Sequence, residues 1–173
     1  MRLEDLNTLD AAAAARELLR CCGSPRWARQ VTAMRPFASV EAMVAAADSC
    51  WVALDPEDWL EAFAAHPRIG GGKASAGHRA DHGWPAQEQA GVAAAADVTR
   101  RRLADLNRDY EERFGHIFIV CATGKSAVEM LDLLERRLGN DPETEIRVAA
   151  AEQQKITGLR LARLVDGKQD TTQ

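Results

Sequence analysis

Scarcity sets the first limits on this chain. It has no apolar run long enough to span a bilayer, and the N-terminal stretch "MRLEDLNTLDAAAAARELL" carries acids where a secretory signal would carry an apolar segment. A cytoplasmic protein with no membrane partner is the expectation. Positive charge is not in excess: the net charge is −4, and the "RRR" of 100–102 is diluted by the acids of "DLNRDYEER". No global attraction to nucleic acid follows. Cysteines number four, at 21, 22, 50 and 121, too irregular for a disulfide framework or a CxxC zinc site. They read as small buried thiols in a reducing compartment. β-branched runs are also few, which argues against a sheet.

What is present is alanine-rich and punctuated. With 173 residues and 46% hydrophobic content, the chain can bury one sizeable core. Asp10 opens a helix through "AAAAARELLRCC" that Gly23 stops, and Ser24–Pro25 opens a second. Ser39 begins a third, and Asp55–Pro56 begins "EDWLEAFAAH", which ends at His66. Trp84–Pro85 introduces a long helical segment over 86–114. The β-branched density of "HIFIVCA", 116–122, marks a short extended segment. Ser126 and Glu129 form a capping-box pattern before "MLDLLERRL", and Asp141–Pro142 caps a last helix. The fold class is all-α: one domain over 1–165 of about seven or more helices, with a polar tail over 166–173.

Three positions ask for more than packing. Pro67 pushes His66 towards an extended backbone at a helix exit, fixing where the imidazole projects from. The carbonyl end of that helix favours the imidazolium, so a raised proton affinity is expected. His66 is either an acid–base group or a cap for helix carbonyls. On the last helix, Ile156, Leu159 and Leu164 define an apolar arc that contains Arg160. A guanidinium there needs an anion or a route to water, so Arg160 is either a substrate anchor or half of an ion pair. Arg163 shares the arc but lies near the helix end, where it can reach solvent. Glu88 and Gln89 sit one turn into the helix after Pro85, where an acid is also an ordinary partner of the helix dipole.

Two motifs are testable on spacing. "GGGK" fails as a phosphate loop, because Pro67 stands where glycine is required and Ala74 where Ser or Thr is required. "HRADH" offers His78 and His82 with Asp81 between them, and His66 as a third zinc ligand, but lacks the HExxH pattern. No metal is therefore assigned.

Taken together, "EAFAAHPRIG" (61–70), "EQAGV" (88–92), "YEERFGHIFIVCATGKSAVEML" (110–131) and "RLGNDPETEIRVAAAEQQKITGLRLARL" (137–164) resemble the 2-oxo-4-hydroxy-4-carboxy-5-ureidoimidazoline (OHCU) decarboxylase family of urate breakdown. The stretches follow the family's order along most of the chain. The resemblance implies an all-helical homodimer that needs no cofactor and no metal. It assigns the catalytic histidine to His66, its acidic partner to Glu88 and the family's arginine to Arg160. Pro67 and Gln89 match substrate-lining positions. Phe118, Ile119, Val120, Cys121 and Ala122 match the segment that presents main-chain groups to the ligand. Pro85 stands where the family often has a serine, so one hydroxyl contact is absent. The implied reaction forms (S)-allantoin with the substrate's own ring as electron sink, which is why no pyridoxal or thiamine is required. A non-catalytic helical module that binds a small anion or a partner, with Arg160 as its anchor, is the competing reading, and an activity assay separates the two.

Overall fold

The computed structural model describes residues 1–67 and 86–166, the side chains of 86–96 excepted. Eight helices and no strand occur among the described residues, so the chain is all-α. The glycine-rich stretch with Ala74, His78, Asp81, His82, Trp84 and Pro85 lies outside them, as does the tail from 167. By contacts the chain forms two units, Met1–His66 with Ile146–Gln173, and Pro67–Glu145.

The first unit begins with α1 (Leu3–Thr8), a helix the sequence patterns did not indicate. Six residues are too few to show a period. Its N-cap is Arg2, whose backbone amide donates to Asp5 Oδ2 at 2.9 Å, a less familiar form of the capping box. α2 (Ala11–Cys22) starts where Asp10 accepts from the Ala13 amide at 2.8 Å. Gly23 ends it in the left-handed conformation, φ +88°. Ser24 and Ser39 cap α3 (Pro25–Ala33) and α4 (Val40–Val52) as their spacing predicts. α5 (Pro56–Ala64) follows, with Pro56 at its first position. The Asp55 carboxylate, however, makes no cap hydrogen bond and pairs with Arg26 instead, at 2.9 Å.

Three tryptophans tie these helices together through their ring N–H groups. Trp27 donates to the Ala47 carbonyl at 3.0 Å, Trp51 to Ala150 at 3.0 Å, and Trp59 to Trp51 at 3.1 Å. Each indole buries apolar surface while its one donor stays satisfied. Trp27, Leu18, Met43, Phe63 and Leu161 are wholly buried around them, each contributing roughly 1.5–3 kcal/mol of burial free energy.

The second unit is built on α6 (Ala86–Phe114) packed against α7 (Ala127–Arg137). The predicted capping box is present in both directions, with Ser126 and Glu129 each holding the other's amide. Leu103, Leu106, Tyr110, Phe118, Val120 and Leu134 form its core. Through that core runs a buried charge cluster. Arg137 donates to Glu145 Oε1 at 2.7 Å and to the Ile119 carbonyl at 2.7 Å. The Tyr110 hydroxyl donates to the same Glu145 oxygen, and Asn140 Nδ2 donates to the other, Oε2, at 2.7 Å. Arg137 also lies 4.6 Å from the Phe118 ring centroid. α8 (Pro142–Val165) completes the order, its start held by Asp141, which accepts from the Thr144 amide at 2.9 Å. Among the described residues, no helix is long and apolar enough to cross a membrane.

Candidate active site

His66 sits one residue beyond the C-cap of α5, where its backbone amide donates to the Phe63 carbonyl at 3.0 Å. That bond occupies the carbonyl a capping imidazole would have sought. The ring nitrogen Nε2 is buried and has no hydrogen-bond partner among the described residues. A buried, unpaired polar atom is costly and calls for a reason. The imidazole is also harder to protonate than an ordinary histidine. Burial is the main cause, and the positive field of Arg160 adds to it, while the Gln153 amide pulls the other way. The raised proton affinity expected from the helix terminus is thus reversed: lost hydration and a neighbouring cation outweigh the carbonyl dipole.

The end of α5 is placed by a close approach. A Cβ on Gly23 would lie 2.6 Å from Ala65 Cβ, so only glycine lets the end of α2 press against the residue before His66. The same end of α2 also holds Arg160. Its guanidinium donates to the Cys21 carbonyl at 3.2 Å, a cation against the negative end of a helix. Arg160 has no carboxylate partner among the described residues, which removes the ion-pair alternative within that set. The remaining N–H groups of its planar fork suit an oxygen-rich ligand.

The arc that led to Arg160 needs correcting. Leu159 is exposed, and Ile156 and Leu164 are only half-buried. The buried line on α8 instead passes through Ala149, Gln153, Thr157 and Leu161, with Arg160 beside it. Two of those four residues are polar, so a search for apolar period drifts off the true face. Gln153, wholly buried, donates to Thr157 Oγ1 at 3.1 Å, and its own Oε1 has no partner among the described residues. Thr157 in turn hydrogen-bonds the Cys22 thiol. Burial pushes the thiols of Cys21 and Cys22 up to about 11 and about 12, so both are neutral at physiological pH and inert. Cys121 is buried and Cys50 half-buried, and none of the four cysteines is in a disulfide.

The structure thus brings His66 and Arg160 together, and adds Gln153 and Thr157, which the sequence patterns passed over. Glu88 and Gln89 fall in the first turn of α6, as their spacing predicts, but their side chains lie outside the described residues. Pro67 is exposed. His116 lies in a bend, and residues 117–122 form neither helix nor strand. Phe118 and Val120 belong to the core of the second unit, Ile119 and Cys121 are buried, and Ala122 is exposed. Arg137 and Lys125 hold the Ile119 and Cys121 carbonyls, each at 2.7 Å, so the segment's backbone is fixed from its carbonyl side.

Comparison with known proteins sets this geometry in a family. The family model for OHCU decarboxylase matches residues 7–162. The chain is 39% identical over 149 residues to a uric acid degradation bifunctional protein of Arabidopsis thaliana, covering 86% of this chain and 46% of that protein. It is 32% identical to a mouse 2-oxo-4-hydroxy-4-carboxy-5-ureidoimidazoline decarboxylase, covering 82% of this chain and 79% of that one. A crystal structure of OHCU decarboxylase in the presence of (S)-allantoin superposes with a TM-score of 0.70 at 36% identity, covering 87% of this chain and 97% of that chain. Against the bifunctional proteins the chain spans less than half their length, 46% for Arabidopsis and 34% for one of Bacillus subtilis.

Proposed function

Because the chain belongs to the OHCU decarboxylase family, we propose that it removes CO₂ from 2-oxo-4-hydroxy-4-carboxy-5-ureidoimidazoline to give (S)-allantoin in urate degradation. The observation that carries this reading is the half-buried, uncharged His66 with a buried nitrogen that no described residue pairs, beside an Arg160 with no carboxylate partner among the described residues.

The substrate's reacting carbon bears both a hydroxyl and a carboxylate and adjoins a ring C=N bond. When the bond to the carboxylate breaks, its electron pair moves into that C=N system and the ring nitrogen takes a proton. The product at that stage is an enol. Its hydroxyl proton is released as the oxygen becomes a carbonyl, and the neighbouring carbon gains a proton on one face. One CO₂ leaves and one proton is taken up overall. The protein's share is to orient the breaking bond, stabilise developing charge and govern proton delivery. No external electron sink enters this route.

His66, neutral at physiological pH, acts as the acid–base group at the hydroxyl–carboxylate end. Arg160 grips a substrate oxygen. Glu88 and Gln89 orient ring or ureido N–H groups, Pro67 lines the site, and main-chain groups of 118–122 complete the cradle. The enzyme works as a cytoplasmic homodimer in this reading.

A coupled assay tests it. Urate, uricase and hydroxyisourate hydrolase generate the unstable substrate in place, and circular dichroism follows chiral allantoin. The protein should accelerate its appearance and yield the S enantiomer. His66→Asn should lose about 10²–10⁴-fold in rate while its melting temperature holds. No acceleration by the native chain would support a binding module anchored on Arg160, and full activity in His66→Asn would remove the acid–base assignment.

A further inference from the structure

Gln153 has no place in the chemistry above, yet it is wholly buried in the unit that carries His66 and Arg160. Its amide is held from one side only. Nε2 donates to Thr157 Oγ1 at 3.1 Å, and Thr157 is tied to the Cys22 thiol at the end of α2. With its donor end committed, the amide turns Oε1, an acceptor and nothing else, away from Thr157. Among the described residues, Oε1 has no hydrogen-bond partner, and neither has the buried Nε2 of His66. The two side chains are close enough for the amide to favour a proton on the ring. Two orphaned buried atoms on neighbouring side chains, one needing a donor and the other able to be one, complete each other when Nε2 carries hydrogen.

We infer that Gln153 is a positioning residue for His66: its Oε1 accepts the hydrogen on His66 Nε2, fixing the tautomer that leaves Nδ1 as the nitrogen working at the substrate. This deepens the reading of His66 as the acid–base group and rests on it. Thr157 sets the direction of the amide, so the chain of control runs from the end of α2 through Thr157 and Gln153 to the imidazole. Among the described residues, the charged group acting on the ring is Arg160 of α8; the α2 thiols at Cys21 and Cys22 are neutral at working pH. Arg160 discourages protonation and Gln153 encourages it at one atom, so the ring stays neutral but with its hydrogen in a defined place.

Two measurements on the full chain decide the matter. Long-range ¹H–¹⁵N correlation spectra at pH 8 report the histidine tautomer without reference to activity. His66 should be in the Nε2–H form, and Gln153→Met should shift it towards a mixture. In the coupled assay, Gln153→Met should lower kcat at least about tenfold with KM little changed, since an acceptor that orients a histidine acts on the chemical step. The limb of the pH–rate profile belonging to His66 should move to lower pH in Gln153→Met. In Gln153→Glu it should move to higher pH with kcat largely restored. An Nδ1–H tautomer in the native protein overturns the inference, even if Gln153→Met proves too unstable to purify. So does an unchanged tautomer and pH profile in Gln153→Met, whatever its stability. Full activity in His66→Asn overturns the acid–base reading instead, and the spectra still judge whether Gln153 holds the ring.

Discussion

Glu145 and Gln153 stand about two turns apart on α8, both with no exposed surface, yet they are treated in opposite ways. Around Glu145 the polar groups close on one another. Arg137, Tyr110 and Asn140 take both carboxylate oxygens, and the spare reach of Arg137 goes to the Ile119 carbonyl. Around Gln153 one oxygen has no partner among the described residues, and neither has the His66 nitrogen near it. A closed buried network holds a fold in one arrangement, because every member loses if one moves. An open one keeps capacity for something that arrives later. Burial alone does not distinguish a structural polar residue from a working one; completeness of its hydrogen bonding does.

The contrast can be broken most forcefully at Glu145. Glu145→Ala strands a buried guanidinium and should cost about 3–5 kcal/mol in urea unfolding. A loss below about 1 kcal/mol would mean that the second unit does not depend on the closed cluster. Gly23→Ala comes next, since it strains a left-handed residue and drives a methyl into Ala65; about 1–3 kcal/mol is expected. If the open cluster depends on that contact, the coupled assay should fall further than the stability loss explains. An unchanged rate per folded molecule would make Gly23 a packing residue alone.

Acid gives the smallest and most general effect. Burial lowers the proton affinity of both His66 and His116 below the usual 6.5. The unfolded chain therefore takes up protons first as pH falls. Their contribution to stability is complete above pH 6.5 and is lost as pH drops through the lower folded values. Melting temperatures measured from pH 8 to pH 5 should decline, and His66→Asn should flatten part of that decline. An identical slope in the variant would mean that His66 is no harder to protonate in the fold than outside it.

How much of this was legible beforehand follows from range. Caps are local, so Asp10, Ser24, Ser39, Asp141 and the Ser126–Glu129 pair could be read directly, and the all-α class followed from them. α1 escaped because its cap uses Arg2 and its length hides any period. His66 was found through its bond to Pro67 and Arg160 through an apolar arc that is not the buried face of α8, but the proton affinity of His66 was misjudged. The helix dipole is visible in sequence; desolvation and the field of a residue far along the chain are not. Gln153 and Thr157 escaped because a buried face was sought by apolarity, and here the face that matters is partly polar.

The placement of the tryptophans has a spectroscopic consequence. Three of the chain's four, Trp27, Trp51 and Trp59, belong to the unit of His66 and Arg160, and the single tyrosine, Tyr110, belongs to the other. Their indole N–H groups bind backbone carbonyls, so emission should shift to the red once those bonds give way to water. Excitation at 295 nm then weights the signal towards the half of the molecule that holds His66, while far-ultraviolet dichroism weights all eight helices alike. Melting curves that separate by the two methods would show the two units loosening at different temperatures, with no label attached.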